Sequence, residues 1–321
     1  MTRAIAPPPP LRIVFAGTPE FARGSLQALL DHPSVEVVAA YTQPDRAAGR
    51  GRRLMTSAIK NLALARGLPV EQPLNWKTPE MIARFAAFAP DLLVVAAYGV
   101  ILPASALDIP RLGAINVHAS LLPRWRGAAP IQRAIMAGDA TSGVTIMRVV
   151  PALDAGTMLL KRAHVLSATE TAGSLEITLA HLGAIALVEA VDQILQNKLA
   201  GEEQVPEEVT YAAKITREDR VLDWQESAVS LERRIRALSP APLAYAEILG
   251  LPLNILKGVA LDVTPTASPG TLIGRGPDGI DVATADGVLR LVEVQPPGKR
   301  MMSARDFLNG YGQRLIGGSC P

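Results

Sequence analysis

The 321-residue chain predicts an α/β fold, with a Rossmann-like parallel sheet in its N-terminal part and a smaller β-barrel domain behind it. Three observations carry that expectation. Over the first two hundred residues short apolar runs alternate with amphipathic segments, the order that builds a parallel sheet through right-handed crossovers. Near residue 200 a polar, acidic stretch containing Pro206 breaks the pattern, as an interdomain linker does. Beyond it the turn pairs Asp278-Gly279 and Asp286-Gly287 bracket the alternating run Ile280 to Thr284, a hairpin signature. The expected division is a disordered proline-rich extension over 1–10, a first domain over 11–199, a linker over 200–218 and a second domain over 219–321.

The individual elements follow from local chemistry. Leu11 to Ala16 is an apolar strand that ends at Gly17. Thr18 is placed to cap the next helix, Pro19 suits its first position, and Glu20 favours its positive end. Strands are expected at Val35 to Tyr41, Leu92 to Ala97 and Gly143 to Met147, and helices at Ser57 to Arg66, Pro79 to Phe88 and Thr169 to Leu199. In the second domain Ser227 to Leu238 has helical spacing, with Leu231, Ile235 and Leu238 on one face.

Composition bounds the function. Apolar residues make up 49% and charged residues 19%, a globular profile. The formal net charge of +2 neither requires nor excludes an acidic partner, so local clusters decide. The sole cysteine, Cys320, forms no internal disulfide, which fits a reducing cytoplasm. Pro7 to Pro10 breaks the apolar core a signal peptide needs, and the apolar stretch Val94 to Leu107 is interrupted by Gly99 and Pro103. No membrane span is expected. No set of His, Cys and carboxylates has metal-ligand spacing, so no metal is expected either.

The run Ile115 to Ala134 concentrates the chemistry. Residues two apart in a strand share a face, so Asn116 and His118 point together into one cleft. An amide donor beside an imidazole suits acyl chemistry, although a bare N-x-H more often marks a buried strand-end histidine satisfied by its neighbour. After His118, Ser120-Leu121-Leu122-Pro123-Arg124-Trp125-Arg126-Gly127 cannot continue a central strand, because Pro123 removes a donor. It is a shaped loop at the strand's carboxyl end, where open α/β sheets hold ligands. Arg46, Arg50, Arg52 and Arg53 lie within eight residues beside Gly49 and Gly51, with nothing apolar to anchor them. That pattern reads as a phosphate or guanine footprint, or as a solvated charge run. Asp154, ahead of Ala155-Gly156, reads in isolation as a turn-former. His32, His164 and His181 read as packing or surface residues.

The segment Asn116 to Gln132 resembles the signature of the folate-dependent formyltransferases, and the resemblance extends over nearly the whole chain. It also rests on Phe15 to Ala22, Thr42 to Leu54, Asp91 to Pro103, Gly143 to Gly156 and Val294 to Lys299. The resemblance implies a catalytic first domain and an OB-like, tRNA-binding second domain. It implies transfer of a formyl group from 10-formyltetrahydrofolate to the α-amine of initiator methionyl-tRNA, by a cytoplasmic monomer that engages no membrane. Asn116 and protonated His118 would then stabilise an oxyanion, with Asp154 holding His118 or accepting a proton. Ser120, Leu121, Leu122, Pro123 and the Tyr98 to Pro103 loop would flank the folate, and Arg46, Arg50, Arg52 and Arg53 would contact the tRNA. Two positions depart from the family pattern: Ala47 replaces a frequent proline, and Pro151-Ala152 replaces a usual glycine.

Other readings compete. A formyltransferase acting on a small amine would use the same Asn116, His118 and Asp154; the arginine loop and the extra domain favour tRNA. A nucleotide-binding Rossmann domain is disfavoured because the first turn carries one glycine, not Gly-x-Gly-x-x-Gly. A non-catalytic RNA-binding protein on the same scaffold would transfer no formyl group.

Overall fold

The computed structural model describes residues 9–48, 53–248, 250–276 and 278–311. Most of the proline-rich extension and the loop residues Arg50 and Arg52 lie outside the described residues, as does the side chain of Arg53. The chain divides into two compact units that are not contiguous in sequence. The first comprises 1–127, 141–164 and 176–211, and the second 128–140, 165–175 and 212–321.

The first unit opens with β1 (Leu11–Gly17), α1 (Glu20–Leu30), β2 (Val35–Tyr41) and the hairpin β3 (Arg46–Ala48) with β4 (Arg53–Met55). It continues through α2 (Ala58–Ala65), β5 (Val70–Glu71), α3 (Pro79–Ala87), β6 (Leu92–Ala96), α4 (Ala104–Leu107), β7 (Ala114–His118) and β8 (Arg126–Gly127). The helix starts follow capping chemistry. Ser57 Oγ accepts the Lys60 N–H, and Thr78 Oγ1 accepts the Met81 N–H with Pro79 in the first turn. Thr18 departs from expectation: α1 has Pro19 at its N-cap with no side-chain cap, and the Thr18 hydroxyl donates instead to the Tyr98 carbonyl at 3.0 Å.

After α5 (Pro130–Ala137), which belongs to the second unit, come β9 (Thr141–Arg148) and β10 (Met158–Val165). The seven strands run in the order β10-β9-β7-β6-β1-β2-β5. From β7 to β5 every pairing is parallel, but β9 runs antiparallel to β7. The expected parallel sheet therefore runs from β7 to β5 and is extended at one edge by the antiparallel β9. A parallel return needs a crossover, usually a helix laid on the sheet, and no helix of this unit lies between β7 and β9.

The long helix α6 (Ala172–Leu195) is apolar enough, by length and composition, to cross a membrane, with mean hydropathy 1.5 and 44% of its window buried. Its Leu179, Leu187 and Val191 are nevertheless fully buried in the protein. Gly183 lets it approach the sheet, since a Cβ there would lie 2.8 Å from Val117 Cγ1. The expected linker is in part not a tether. Glu202 and Met158 exchange backbone hydrogen bonds of 2.8 Å, so the polar stretch pairs with β10, and residues up to 211 belong to the first unit.

The second unit is built on α5, β11 (Tyr211–Ala212, of which Ala212 belongs here), α7 (Ala228–Leu238) and an antiparallel sheet. Ile131, Ala134 and Ile135 of α5 are buried and Met136 packs on the apolar cluster of this unit, which is why residues 128–140 leave the first domain to which the sequence reading gave them. Leu231, Ile235 and Leu238 of α7 are buried as their spacing predicts. The strands β12 (Ala244–Ile248), β13 (Leu251–Leu261), β14 (Leu272–Gly276), β15 (Gly279–Ala283) and β16 (Val288–Gln295) run in the order β12-β13-β16-β15-β14. A short β17 (Met302–Ser303) adds to β16, and α8 (Ala304–Tyr311) follows. Both Asp-Gly turns join antiparallel neighbours. Among the described residues no pairing joins β14 to β12, so the expected barrel is seen as an open path.

Candidate active site

Three strand ends set the site. In the ladder Gly17 of β1 lies beside Ala96 of β6, and Val95 lies beside Asn116 of β7, so the carboxyl ends of β1, β6 and β7 are neighbours. That edge is where an open α/β sheet receives ligands. Asn116 and His118 occupy alternate positions of β7 and share a face. Asn116 is half-buried, and among the described residues nothing hydrogen-bonds its side-chain amide. An unclaimed amide on a strand end is a donor available to a ligand.

His118 is buried at 6% exposure, and its two nitrogens have different surroundings. Nε2 lies 2.9 Å from the Trp125 carbonyl, which can only accept, so Nε2 carries a proton and donates. Nδ1 faces Asp154 Oδ2 at 3.8 Å, within ion-pair range and too long for a hydrogen bond. The structure thus brings His118 and Asp154 together, but the orienting of the ring falls to a backbone carbonyl rather than to the carboxylate. Asp154 is itself fixed, because its Oδ2 accepts the Gly127 N–H at 2.8 Å.

The loop after β7 is shaped by its own polar groups. Ser120 Oγ donates to the Arg124 carbonyl at 2.6 Å, while Thr145 Oγ1 of β9 donates to the Ser120 carbonyl and accepts the Leu122 N–H. Leu122 packs with Met147 and Met158, and the Leu122–Pro123 peptide is cis. The Ser120 hydroxyl is therefore spent within the turn, and what Ser120, Leu121, Leu122 and Pro123 offer outward is shape and backbone. Arg124 stacks over the Trp125 ring at 4.4 Å, and Arg126 Nε donates to Gln204 Oε1 at 2.8 Å.

Gln204 is a residue that sequence reasoning missed. It is 8% exposed, and its Nε2 donates to the carbonyls of Asp154 and Gly156 at 2.8 Å each, pinning the aspartate turn to the Arg126 loop. A glutamine in an acidic, polar run carries no signal of such a position. Left-handed backbone also gathers here: Ala97, Trp125 and Asp154, none of them glycine, have φ of 45°, 67° and 46°. Such conformations cost energy and persist where the surroundings over-determine them.

Tyr98 differs from the sequence expectation. Its ring is buried at 2% exposure, its hydroxyl accepts from Trp76 Nε1 at 3.3 Å, and burial pushes the phenol up to about 12. The ring belongs to a core cluster with Tyr41, Trp76 and Phe85, so it is not offered to a ligand. The same loop leaves the Ile101 side chain 89% exposed. Of the arginines, Arg46 is seen with its side chain, donating to Gln43 Oε1 at 2.5 Å. Its neighbour Asp45 takes Lys60 Nζ at 2.6 Å, and those hydrogen bonds hold its carboxyl below the usual carboxylate range. Among the described residues no group of three or more His, Cys, Asp or Glu is placed to hold a metal.

Residues 11–191 match the formyl transferase family model, and residues 214–312 match the model of the formyl transferase C-terminal domain. The chain is 52% identical over 310 residues to the methionyl-tRNA formyltransferase of Methylococcus capsulatus, covering 95% of this chain and 99% of that protein. It is 50% identical over 308 residues to the protein of the same name in Pseudomonas entomophila, covering 96% and 98%. Among solved structures, an N-formyltransferase of Helicobacter canadensis in complex with folinic acid and a dTDP-amino sugar superposes with TM-score 0.63 at 14% identity, covering 88% of this chain and 99% of that one. HypX from Aquifex aeolicus, in complex with tetrahydrofolic acid, gives TM-score 0.59 at 16% identity over 96% of this chain, which spans about half of that longer protein (48%). At such identities the two structures share a fold with this chain.

Proposed function

The chain belongs to the formyl transferase family, and from that premise we infer that it formylates the α-amine of methionyl initiator tRNA for translation initiation. Full-length relatives of about half-identical sequence bear that activity in their names, which supports the acceptor. The single structural observation that carries the reading is the convergence of an unclaimed amide, Asn116, with an imidazole and a carboxylate, His118 and Asp154, at the carboxyl edge of the sheet.

The formyl donor is a folate, and we assign it as 10-formyltetrahydrofolate. The residues present fit such a group. The 97–103 loop leaves the carboxyl end of β6 with Ile101 exposed, and the Ser120 to Pro123 turn supplies a wall whose hydroxyl is already satisfied. Bound there, the donor supplies a formyl carbon that the methionyl amine attacks and that then parts from the folate nitrogen. The residues of the chain do the rest. Asn116 donates its amide N–H to the formyl oxygen as charge develops on it. His118 Nδ1 accepts the proton shed by the attacking amine, and the resulting imidazolium is held between the Trp125 carbonyl and the Asp154 carboxylate. The same proton is then available to the departing nitrogen, so the cycle balances. Loss of one oxyanion donor typically costs ~10²-fold or more in turnover.

Arg46, Arg50, Arg52 and Arg53 are assigned to the acceptor RNA, where guanidinium groups suit phosphates. All three reactive side chains come from one chain, so a monomer suffices, and the cytoplasm, where charged tRNA is made, is its place. The deciding experiment offers the purified protein a labelled formyl donor with charged initiator tRNA and glycinamide ribonucleotide side by side. Label on the tRNA alone is the expected result, with a KM for tRNA that rises steeply with salt. Label on the ribonucleotide alone, with a flat salt response, overturns the assignment.

A further inference from the structure

A chain of hydrogen bonds crosses the tops of three neighbouring strands, and none of its members is explained by packing alone. Thr18 follows β1, Gln43 follows β2 and Tyr98 follows β6. The Tyr98 carbonyl accepts two bonds, from Thr18 Oγ1 at 3.0 Å and from Gln43 Nε2 at 3.0 Å. Thr18 Oγ1 in turn accepts the Gln43 backbone N–H at 3.3 Å. The orientation of the Gln43 amide is fixed by its other side, because Arg46 can only donate and its guanidinium lies 2.5 Å from Gln43 Oε1. The Gln43 carbonyl accepts from Gln72 Nε2 at 2.9 Å, and Gln72 and Lys60 both bind Asp45 at the base of the β3–β4 hairpin.

The contact is also close. Gly99, with φ of +74°, has no side chain, and a Cβ there would come within 2.2 Å of Gln43 Nε2. The Gln43 amide therefore fills the space against the backbone of 98–99 in addition to bonding it. Ala97, two residues before, holds a left-handed φ of 45°.

We propose that Gln43 is a positioning residue for the formyl donor, which fixes the 97–103 loop by holding the Tyr98 carbonyl against the base of the arginine hairpin. The proposal rests on the reading of that loop as part of the folate site. Gln43 does not itself touch the reacting atoms. It sets where the donor sits relative to Asn116 and His118, so its loss shows in donor binding and not in the acceptor's.

The test uses the full-length protein and 5-formyltetrahydrofolate as a stable probe, with binding read by calorimetry. Gln43→Glu keeps the length and the acceptor for Arg46 but replaces the donor to Tyr98 with a carboxylate oxygen. It is expected to weaken folate binding about tenfold, the size of one hydrogen bond lost in a partly buried place. The KM for 10-formyltetrahydrofolate should rise by a similar factor, with the KM for charged tRNA within about twofold. Thr18→Val removes the other bond to the same carbonyl, and the double variant should lose less than the product of the two single losses, because both act through one atom. Gln43→Met, apolar and similar in size, replaces the glutamate variant if melting shows the latter unfolded, and the same loss is expected. Folate binding by folded Gln43 variants within twofold of the unaltered protein, or a KM change confined to tRNA, would overturn the proposal. Absence of folate binding by the unaltered protein would instead overturn the reading of the site on which it rests.

Discussion

Two histidine–aspartate pairs in the first unit differ in how completely their polar groups are satisfied, and that difference separates a structural contact from the pair we assign to formyl transfer. His32, at the end of α1, accepts the Ser34 N–H on Nδ1 and meets Asp192 of α6 with Nε2 at 3.0 Å. Both nitrogens are satisfied, and the ring ties two elements together. His118 is more deeply buried but unfinished. One nitrogen is held by the Trp125 carbonyl, while the other stands 3.8 Å from Asp154 with no hydrogen bond made. A pair of residue types is thus no guide to role; the nitrogen left without a bond is.

The comparison can be broken in order of size. His118→Ala should reduce formyl transfer by ~10³-fold or more, since it removes both the proton acceptor and the charge beside the oxyanion. Binding of 5-formyltetrahydrofolate should stay within about twofold, and near-normal turnover would return His118 to the company of His32. Asp154→Asn keeps an oxygen for the Gly127 N–H and removes the charge facing Nδ1. A loss of ~10²-fold in kcat with KM little changed is expected, and an unchanged kcat would reduce Asp154 to a turn-former.

The finished pairs should respond in stability instead. Asp219, in the second unit, takes a two-pronged contact from Arg133, with bonds of 2.9 Å to each oxygen, and those bonds hold its carboxyl down to about 2 from an ordinary 3.8. The folded protein then binds that proton less readily than the unfolded chain. The stabilisation is complete above pH 3.8 and is lost as pH falls through about 2. Asp219→Asn should cost about 2 kcal/mol in denaturant unfolding at neutral pH and flatten the acid limb, with the difference between the two proteins vanishing near pH 2. His32→Ala should cost ~1 kcal/mol of stability and leave kcat within twofold. A tenfold fall in kcat there would erase the distinction between the two histidines.

How much of this was legible in the sequence follows from where the information lies. The strand carrying Asn116 and His118, the loop forced by Pro123, the helices after Ser57 and Thr78 and the Asp-Gly turns were readable because local chemistry decides them, while the cap expected at Thr18 did not form. Asp154 came only through family resemblance, since a carboxylate before Ala-Gly looks like any turn. The Trp125 carbonyl was invisible, because every residue has one. Gln204 and Gln43 were missed for a related reason: each acts by bonding a backbone atom far away in the chain, and a glutamine in a polar stretch announces nothing. That residues 128–140 join the second unit was not legible, because α5 packs on helix α7 and periodicity alone does not assign a helix's partner.

The bare position at Gly183 has a wider reach than its chemistry suggests. Its neighbour Val117 sits between Asn116 and His118 in the strand and points to the opposite face, so a side chain at 183 would press on the strand that carries both. In most helices exchanging glycine for alanine is a small gain, up to ~1 kcal/mol. Here one methyl, placed behind the sheet and out of sight of any substrate, would act as a remote brake on the chemistry. Gly183→Ala is expected to lower kcat while leaving the far-ultraviolet circular dichroism unchanged, and an unaltered kcat would show that the strand absorbs the methyl.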